Sequence, residues 1–191
     1  MSTPKALLER YVEAKDLVRP QLMREIYAPD AVLTFSIETS SIAFPEQVSG
    51  LESMTQTLVV DLAARFSRFK TFYVCHETPR EQDDVVVIPW LVLMRETAAS
   101  CLRAGRGYYK WTFGGEPKRV RAMHIHIDRM EPVEDPDGRL LSAAQSGLPY
   151  PWLPPAAMRA RFDSLIAADP GFAFLSPLRT PVAVPSTLAR G

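Results

Sequence analysis

Neither sign of charge prevails in this sequence: Lys+Arg 22 stand against Asp+Glu 22 in 191 residues, a formal net charge of +0. No basic stripe is available for phosphates, so no nucleic-acid partner is expected. Long apolar runs are also lacking. The longest, such as Val85–Met94, fall well short of the roughly 20 residues that cross a bilayer, so no membrane segment is expected. The start, Met1-Ser2-Thr3-Pro4-Lys5-Ala6, leads into a charged amphipathic stretch with no apolar signal core. Cysteine is scarce, and Cys75 and Cys101, without an export signal, read as reduced core residues. Together these features predict a cytoplasmic protein. Internal repeats, charge blocks, a phosphate loop, a nucleophile elbow and a cysteine-ligand metal pattern are absent too, and no cofactor is expected.

What the chain does have is apolar residues, 47% of the total, enough for one domain with a core plus extra chain. Its 17 prolines are uneven, and many lie beyond Glu131. That shift predicts a packed domain over 1–131 and a Pro-rich extension over 132–191.

Thr3 or Ser2 can cap a helix running to about Leu17, with Leu7, Leu8, Tyr11, Val12 and Ala14 at the 3.6-residue period. Pro20 suits the first turn of a second helix through Tyr27. Pro29-Asp30 ends it, and Ala31–Ile37 alternates as a strand. Met54, Leu58, Leu62, Phe66 and Phe69 describe a third, longer helix. After Lys70 the pattern turns to strands: Thr71–Glu77, Val85–Arg95, Ala99–Phe113 and Arg119–Glu131, joined by short turns that favour antiparallel hairpins. Pro89 predicts a bulge or an edge. Helices followed by a meander give an α+β fold, with helices on one face of a mostly antiparallel sheet. The extension carries one helix over about 155–168, with Met158, Phe162, Leu165 and Ile166 on one face, and the last twenty or so residues are expected to be extended or mobile.

Arg10-Tyr11-Val12-Glu13 and Tyr27-Ala28-Pro29-Asp30-Ala31-Val32 resemble the opening segments of ketosteroid isomerases and other nuclear-transport-factor-2-like proteins. Ile88-Pro89-Trp90 looks like that family's M-P-F stretch in a pocket-lining strand, and Arg106–Phe113 and Val120–Ile127 resemble its last two strands. The resemblance covers roughly 5–131. It implies a cone-shaped domain of the SnoaL-like type, three N-terminal helices over a curved sheet, enclosing a pocket. The extension is similar in placement to the C-terminal covering of scytalone dehydratase, without a motif match.

By the resemblance, Tyr11 matches the family's oxyanion tyrosine and Tyr109 lies near its second donor. A phenol in an apolar pocket is a good donor. The catalytic aspartate's position falls on Phe35, which accepts no proton, so ketosteroid isomerisation is not expected. His76 is the candidate replacement base. In His124-Ile125-His126-Ile127-Asp128, strand alternation puts both imidazoles and the carboxylate on one face. An H-x-H pair is a usable metal chelate. Yet residues 124 and 128 lie about 13 Å apart along a strand, too far for one ion without leaning side chains. The resemblance assigns the alternate set, Met123, Ile125 and Ile127, to the pocket. The histidines are then expected on the outer face, where such domains often form a homodimer, and no metal site is expected.

The remaining expected lining is Phe35, Phe66, Trp90, Val92, Trp111 and Met123, suited to a small hydrophobic or aromatic ligand. Two functions stay open. One is a cofactor-free isomerase, dehydratase or cyclase with Tyr11 and Tyr109 as donors and His76 as base. The other is a noncatalytic binding or assembly module that dimerises through its sheet.

Overall fold

The computed structural model describes residues 2–185 and Leu188. Helix α1 (Pro4–Asp16) begins where the Thr3 side chain accepts the Ala6 N–H at 3.2 Å, with Pro4 in the first turn. Both features stabilise an N-terminus, where the first N–H groups lack intrahelical partners. Leu7, Leu8, Tyr11, Val12 and Ala14 are all buried, as their spacing predicts. The helix ends in a turn with Val18 at φ 53°, closed by the Arg19 N–H on the Ala14 carbonyl at 2.7 Å.

The second helix is shorter than expected. A 3-10 turn, Pro20–Leu22, leads into α2 (Met23–Ile26), and strand β1 (Tyr27–Ile37) already starts at Tyr27. There follow β2 (Gln47–Ser49), α3 (Leu51–Thr55), a π turn (Gln56–Val60), α4 (Asp61–Arg65) and β3 (Phe66–Val74). The third helix therefore stops at Arg65, not at Phe69. A register shift between Ser67 and Lys70, with Arg68 at φ 53°, moves the strand's inward set from Phe66 to Phe69, Thr71 and Tyr73. That bulge gives a strand the three-residue spacing of a helix, which is why the sequence pattern misleads.

Strands β4 (Val85–Glu96), β5 (Cys101–Gly114) and β6 (Arg119–Glu134) form the antiparallel meander with β3. Pairing of β3 with β4 ends at Tyr73 and Trp90, so β4 is locally an edge at Pro89, while its register with β5 runs through unbroken. Parallel pairing of β1 with β6 completes one side of the sheet. On the other side, β7 (Trp152–Leu153), from the Pro-rich extension, pairs parallel with β3. Among the described residues the seven strands lie in the order β2-β1-β6-β5-β4-β3-β7.

The inner face of this sheet and the β3–β5 part of its outer face are covered. On the inner face, α1, α2 and the α3–α4 segment bury Leu33, Tyr109, Trp111, Ile125 and Ile127. On the outer face, α5 (Arg139–Gln145), α6 (Pro155–Ala168) and a 3-10 segment, Pro170–Leu178, cover Phe72, Val74, Leu91, Leu93, Leu102 and Ala104. Buried Asp135 accepts the Leu140 and Leu141 N–H groups at 3.0 and 2.9 Å, fixing the start of α5. The helix expected over 155–168 is present, with Met158, Phe162 and Leu165 buried. The expected extended tail is corrected in part. Phe172, Leu175 and Leu178 are buried in the outer layer, because their apolar side chains complete the cover over β3–β5. Residues 186–187 and 189–191 of that expected tail lie outside the described residues.

Cys75 and Cys101 are both free thiols. Among the described residues no helix is long and apolar enough to cross a membrane.

Candidate functional site

Between α1, the α3–α4 segment and the inner sheet face lies a cavity of about 60 Å³. Tyr11 and Lys15 line it from α1, Trp90, Val92 and Met94 from β4, Tyr109 from β5, and Ile125, Ile127 and Met130 from β6. Phe35 and Phe44, both half-buried, stack face to face over one side with ring centroids 4.6 Å apart. The enclosed space is under half of the roughly 150 Å³ that accommodates benzene in an apolar protein cavity. A ring-sized ligand is therefore larger than the space present.

Tyr11 is the central polar group. Its hydroxyl is fully buried and has no hydrogen-bond partner among the described residues. Burial pushes its phenol well up and the nearby Asp16 charge adds to this; the Tyr109 hydroxyl, close by but outside hydrogen-bond geometry, offsets a little. Tyr11 therefore stays protonated and retains an unused donor. Trp90 Nε1 is likewise buried without a partner, as is Trp111 Nε1. An unsatisfied buried donor costs about 1–3 kcal/mol, and two of these three, Tyr11 and Trp90, belong to residues that line the cavity. Two other inward tyrosines are satisfied: Tyr73 Oη donates to the Leu8 carbonyl at 2.9 Å, and Tyr27 Oη to Met123 sulfur at 3.0 Å.

Lys15 supplies the one charged side chain among the described lining residues. It lies one helical turn beyond Tyr11, on the same face of α1, and its ammonium sits 5.0 Å from the Phe69 ring centroid. Its charge is balanced by Asp16 at 2.6 Å. Asp16 Oδ2 also accepts the Thr71 N–H at 2.6 Å and the Tyr150 hydroxyl at 3.0 Å, and Oδ1 accepts the Thr71 hydroxyl at 2.9 Å. With every lone-pair direction engaged, Asp16 positions Lys15 and ties α1 to β3 and to the extension.

The expected site residues separate into groups. Tyr11, Tyr109, Phe35, Trp90 and Val92 meet around the cavity. Phe66, Trp111 and Met123 are buried behind it as packing: the Trp111 ring, for instance, stands edge-on to Tyr11 at 5.0 Å. His76 is not brought to the cavity. β3 ends at Val74, and His76 is exposed beyond it, beside a separate surface groove shared with Cys75, Glu77 and Pro79. His124, His126 and Asp128 point to the outer face. Lys15 is the functional candidate that the expected set missed, although its spacing of four from Tyr11 was visible.

No protein-family model matches the sequence, and no curated protein matches it. Solved structures do resemble it. A nuclear transport factor 2 (NTF2-like) superfamily protein from Salmonella enterica superposes with a TM-score of 0.51 at 12% identity, over 63% of this chain and 85% of that one. The chain has the NTF2-like fold. Two further structures share it. LinA superposes with a TM-score of 0.54 at 14% identity, over 66% of this chain and 84% of its own. A protein with a ketosteroid isomerase-like fold from Catenulispora acidiphila, in complex with trimethylamine, gives 0.51 at 17% identity, over 80% and 100% of the two chains.

Proposed function

We propose that this NTF2-like chain binds a small, mostly apolar molecule bearing one hydrogen-bond-accepting oxygen, and stabilises negative charge developing on that oxygen. The observation that carries this reading is the Tyr11 hydroxyl, buried and unpartnered among the described residues at the wall of an apolar cavity. Tyr11 donates to the ligand oxygen, the Lys15 ammonium supplies positive charge nearby, and Tyr109 is the second donor. Donors fixed in place before the ligand arrives act with little reorganisation in a water-poor site. The structures named LinA and hexachlorocyclohexane dehydrochlorinase have this fold, which is consistent with a small-molecule role.

Proton abstraction by the side chains first expected is not part of this reading. Phe35 carries no base, His76 is exposed away from the cavity, and Asp16 is occupied by its donors. Binding with electrostatic stabilisation of an oxygen is what remains. A homodimer through the outer face would use the polar strip of β1, β6 and β5, since the apolar part is covered by the chain itself.

The test is titration with cyclohexanone, read by tryptophan fluorescence. Tyr11→Phe should weaken binding about 5- to 10-fold, the value of one neutral hydrogen bond. Phe44→Ala, which enlarges the cavity mouth, should tighten it. Equal affinity in wild type and Tyr11→Phe would overturn the reading.

A further inference from the structure

A second cluster of chemistry-bearing side chains lies on the outer face, remote from the cavity. Glu38 follows β1, and His126 and Asp128 are two residues apart on β6. Each offers one ligand atom, and the three atoms lie within 4.8 Å of one another. We propose that Glu38, His126 and Asp128 bind a borderline divalent cation such as Zn²⁺. The pairing differs from the one considered in the sequence: His126 and Asp128 face the same point, His124 does not, and the neighbouring strand end supplies the third ligand.

The surroundings match those of a metal-binding histidine, which donates its second ring N–H to a fixed acceptor so that the ligating nitrogen is aimed. His126 Nδ1 lies 2.8 Å from Ser36 Oγ, which leaves Nε2 facing Glu38 Oε1 at 3.8 Å. The His126 ring is clamped by stacking on Tyr108, with centroids 4.6 Å apart. Asp128 is oriented by Arg106 Nε on Oδ2 at 2.7 Å, leaving Oδ1 available. Arg106 is itself held by the Pro177 carbonyl at 2.5 Å and the Thr180 carbonyl at 3.0 Å. Around a tetrahedral zinc with bonds of about 2.0–2.1 Å, ligand atoms sit about 3.3 Å apart. Glu38 is 65% exposed at its side chain and free to close that gap. Imidazole with two carboxylates favours zinc, cobalt or nickel over calcium or magnesium, which prefer all-oxygen cages. Three protein ligands leave a coordination position open toward the groove bordered by Thr180–Pro185.

Binding here also sets a hydrogen-bond relay. For Nε2 of His126 to ligate, its Nδ1 must carry the proton and donate to Ser36 Oγ. Ser36 then donates to His124 Nε2, 2.9 Å away, and His124 Nδ1–H donates to Thr34 Oγ1 at 2.8 Å. Each group has one donor and one acceptor in line, so the cation fixes both tautomers.

The test is calorimetric titration of tag-free protein with Zn²⁺, together with long-range ¹⁵N–¹H spectra of the histidine rings. One Zn²⁺ should bind per chain, shifting His126 Nε2 and fixing His124 as the Nδ1–H tautomer. Ser36→Ala should weaken binding by about 10- to 100-fold. His126→Ala and the exposed, fold-neutral Glu38→Gln should weaken it at least as much, while His76→Ala leaves it unchanged. Absence of binding, or Zn²⁺ affinity unchanged in both His126→Ala and Glu38→Gln, or an unmoved His126 Nε2 signal, would each sink the proposal.

Discussion

Lys15 and Asp16 are sequence neighbours at the end of α1, and their charged groups meet at 2.6 Å with both side chains buried. Consecutive helical residues point about 100° apart, so Lys15 lines the cavity and Asp16 bonds Thr71 and Tyr150 while their charged ends still meet. Asp16→Ala leaves a buried ammonium without its counter-charge and strands several donors. A loss of about 3–5 kcal/mol in urea unfolding is expected. Lys15→Met leaves Asp16 its remaining donors and should cost less, about 1.5–3 kcal/mol. If Lys15→Met proved the more destabilising, the anchoring role of Asp16 would be wrong.

Tyr11→Phe removes a hydroxyl that has no partner. Folding stability should therefore hold or rise, by up to about 1 kcal/mol, even as ligand affinity falls. Opposite signs on stability and binding separate a functional group from a structural one. A clear drop in the urea midpoint would show that Tyr11 is a stabilising contact instead.

Gly107 lies across from Trp90 in the β4–β5 pairing. A Cβ there would collide with the His126 carbonyl oxygen and come within 2.6 Å of the Trp90 ring. Backbone and indole leave no route of relief, so Gly107→Ala should cost about 1–3 kcal/mol and disturb Trp90 in the cavity wall. Thermal unfolding reads the first effect and tryptophan emission the second. An Ala variant matching wild type in both would refute the close approach.

His124 couples stability to pH. Its folded pKa lies below the ordinary 6.5, chiefly through burial and then through His126 and Lys110. Below about pH 6.5 the unfolded chain takes up this proton before the folded one, so stability falls with falling pH in that window and is fully retained above it. The drop in urea midpoint from about pH 7.5 to 5.5 should be smaller in His124→Asn than in wild type. The carboxylates with lowered pKa, such as Glu96 beside Arg103, titrate at more acidic pH and do not confuse the comparison.

Much of the fold could be read from local pattern. The α1 stripe, the hairpin meander and the helix at Pro155–Ala168 follow from periodicity, turn residues and caps, all effects of near neighbours. The alternation on β6 separated Ile125 and Ile127 from His124 and His126, and the structure places the first pair in the core and the second outside. The sequence also made plain that Phe35 stands where a base would be needed. Other features depended on residues far apart in the chain. Phe66 and Phe69 mimicked a helical face because a bulge at Arg68 re-phased a strand, and pairing with β4 overrode the local pattern. Whether His76 reached the cavity turned on where β3 stopped pairing. Whether the last twenty or so residues were extended or mobile turned on the apolar outer face of β3–β5, which Phe172 and Leu175 cover. Lys15 became a pocket residue because Thr71 and Tyr150 hold Asp16 beside it as a buried counter-charge. Periodicity identifies which face of an element is buried; what that face meets is set by chain closure, which only the tertiary structure decides.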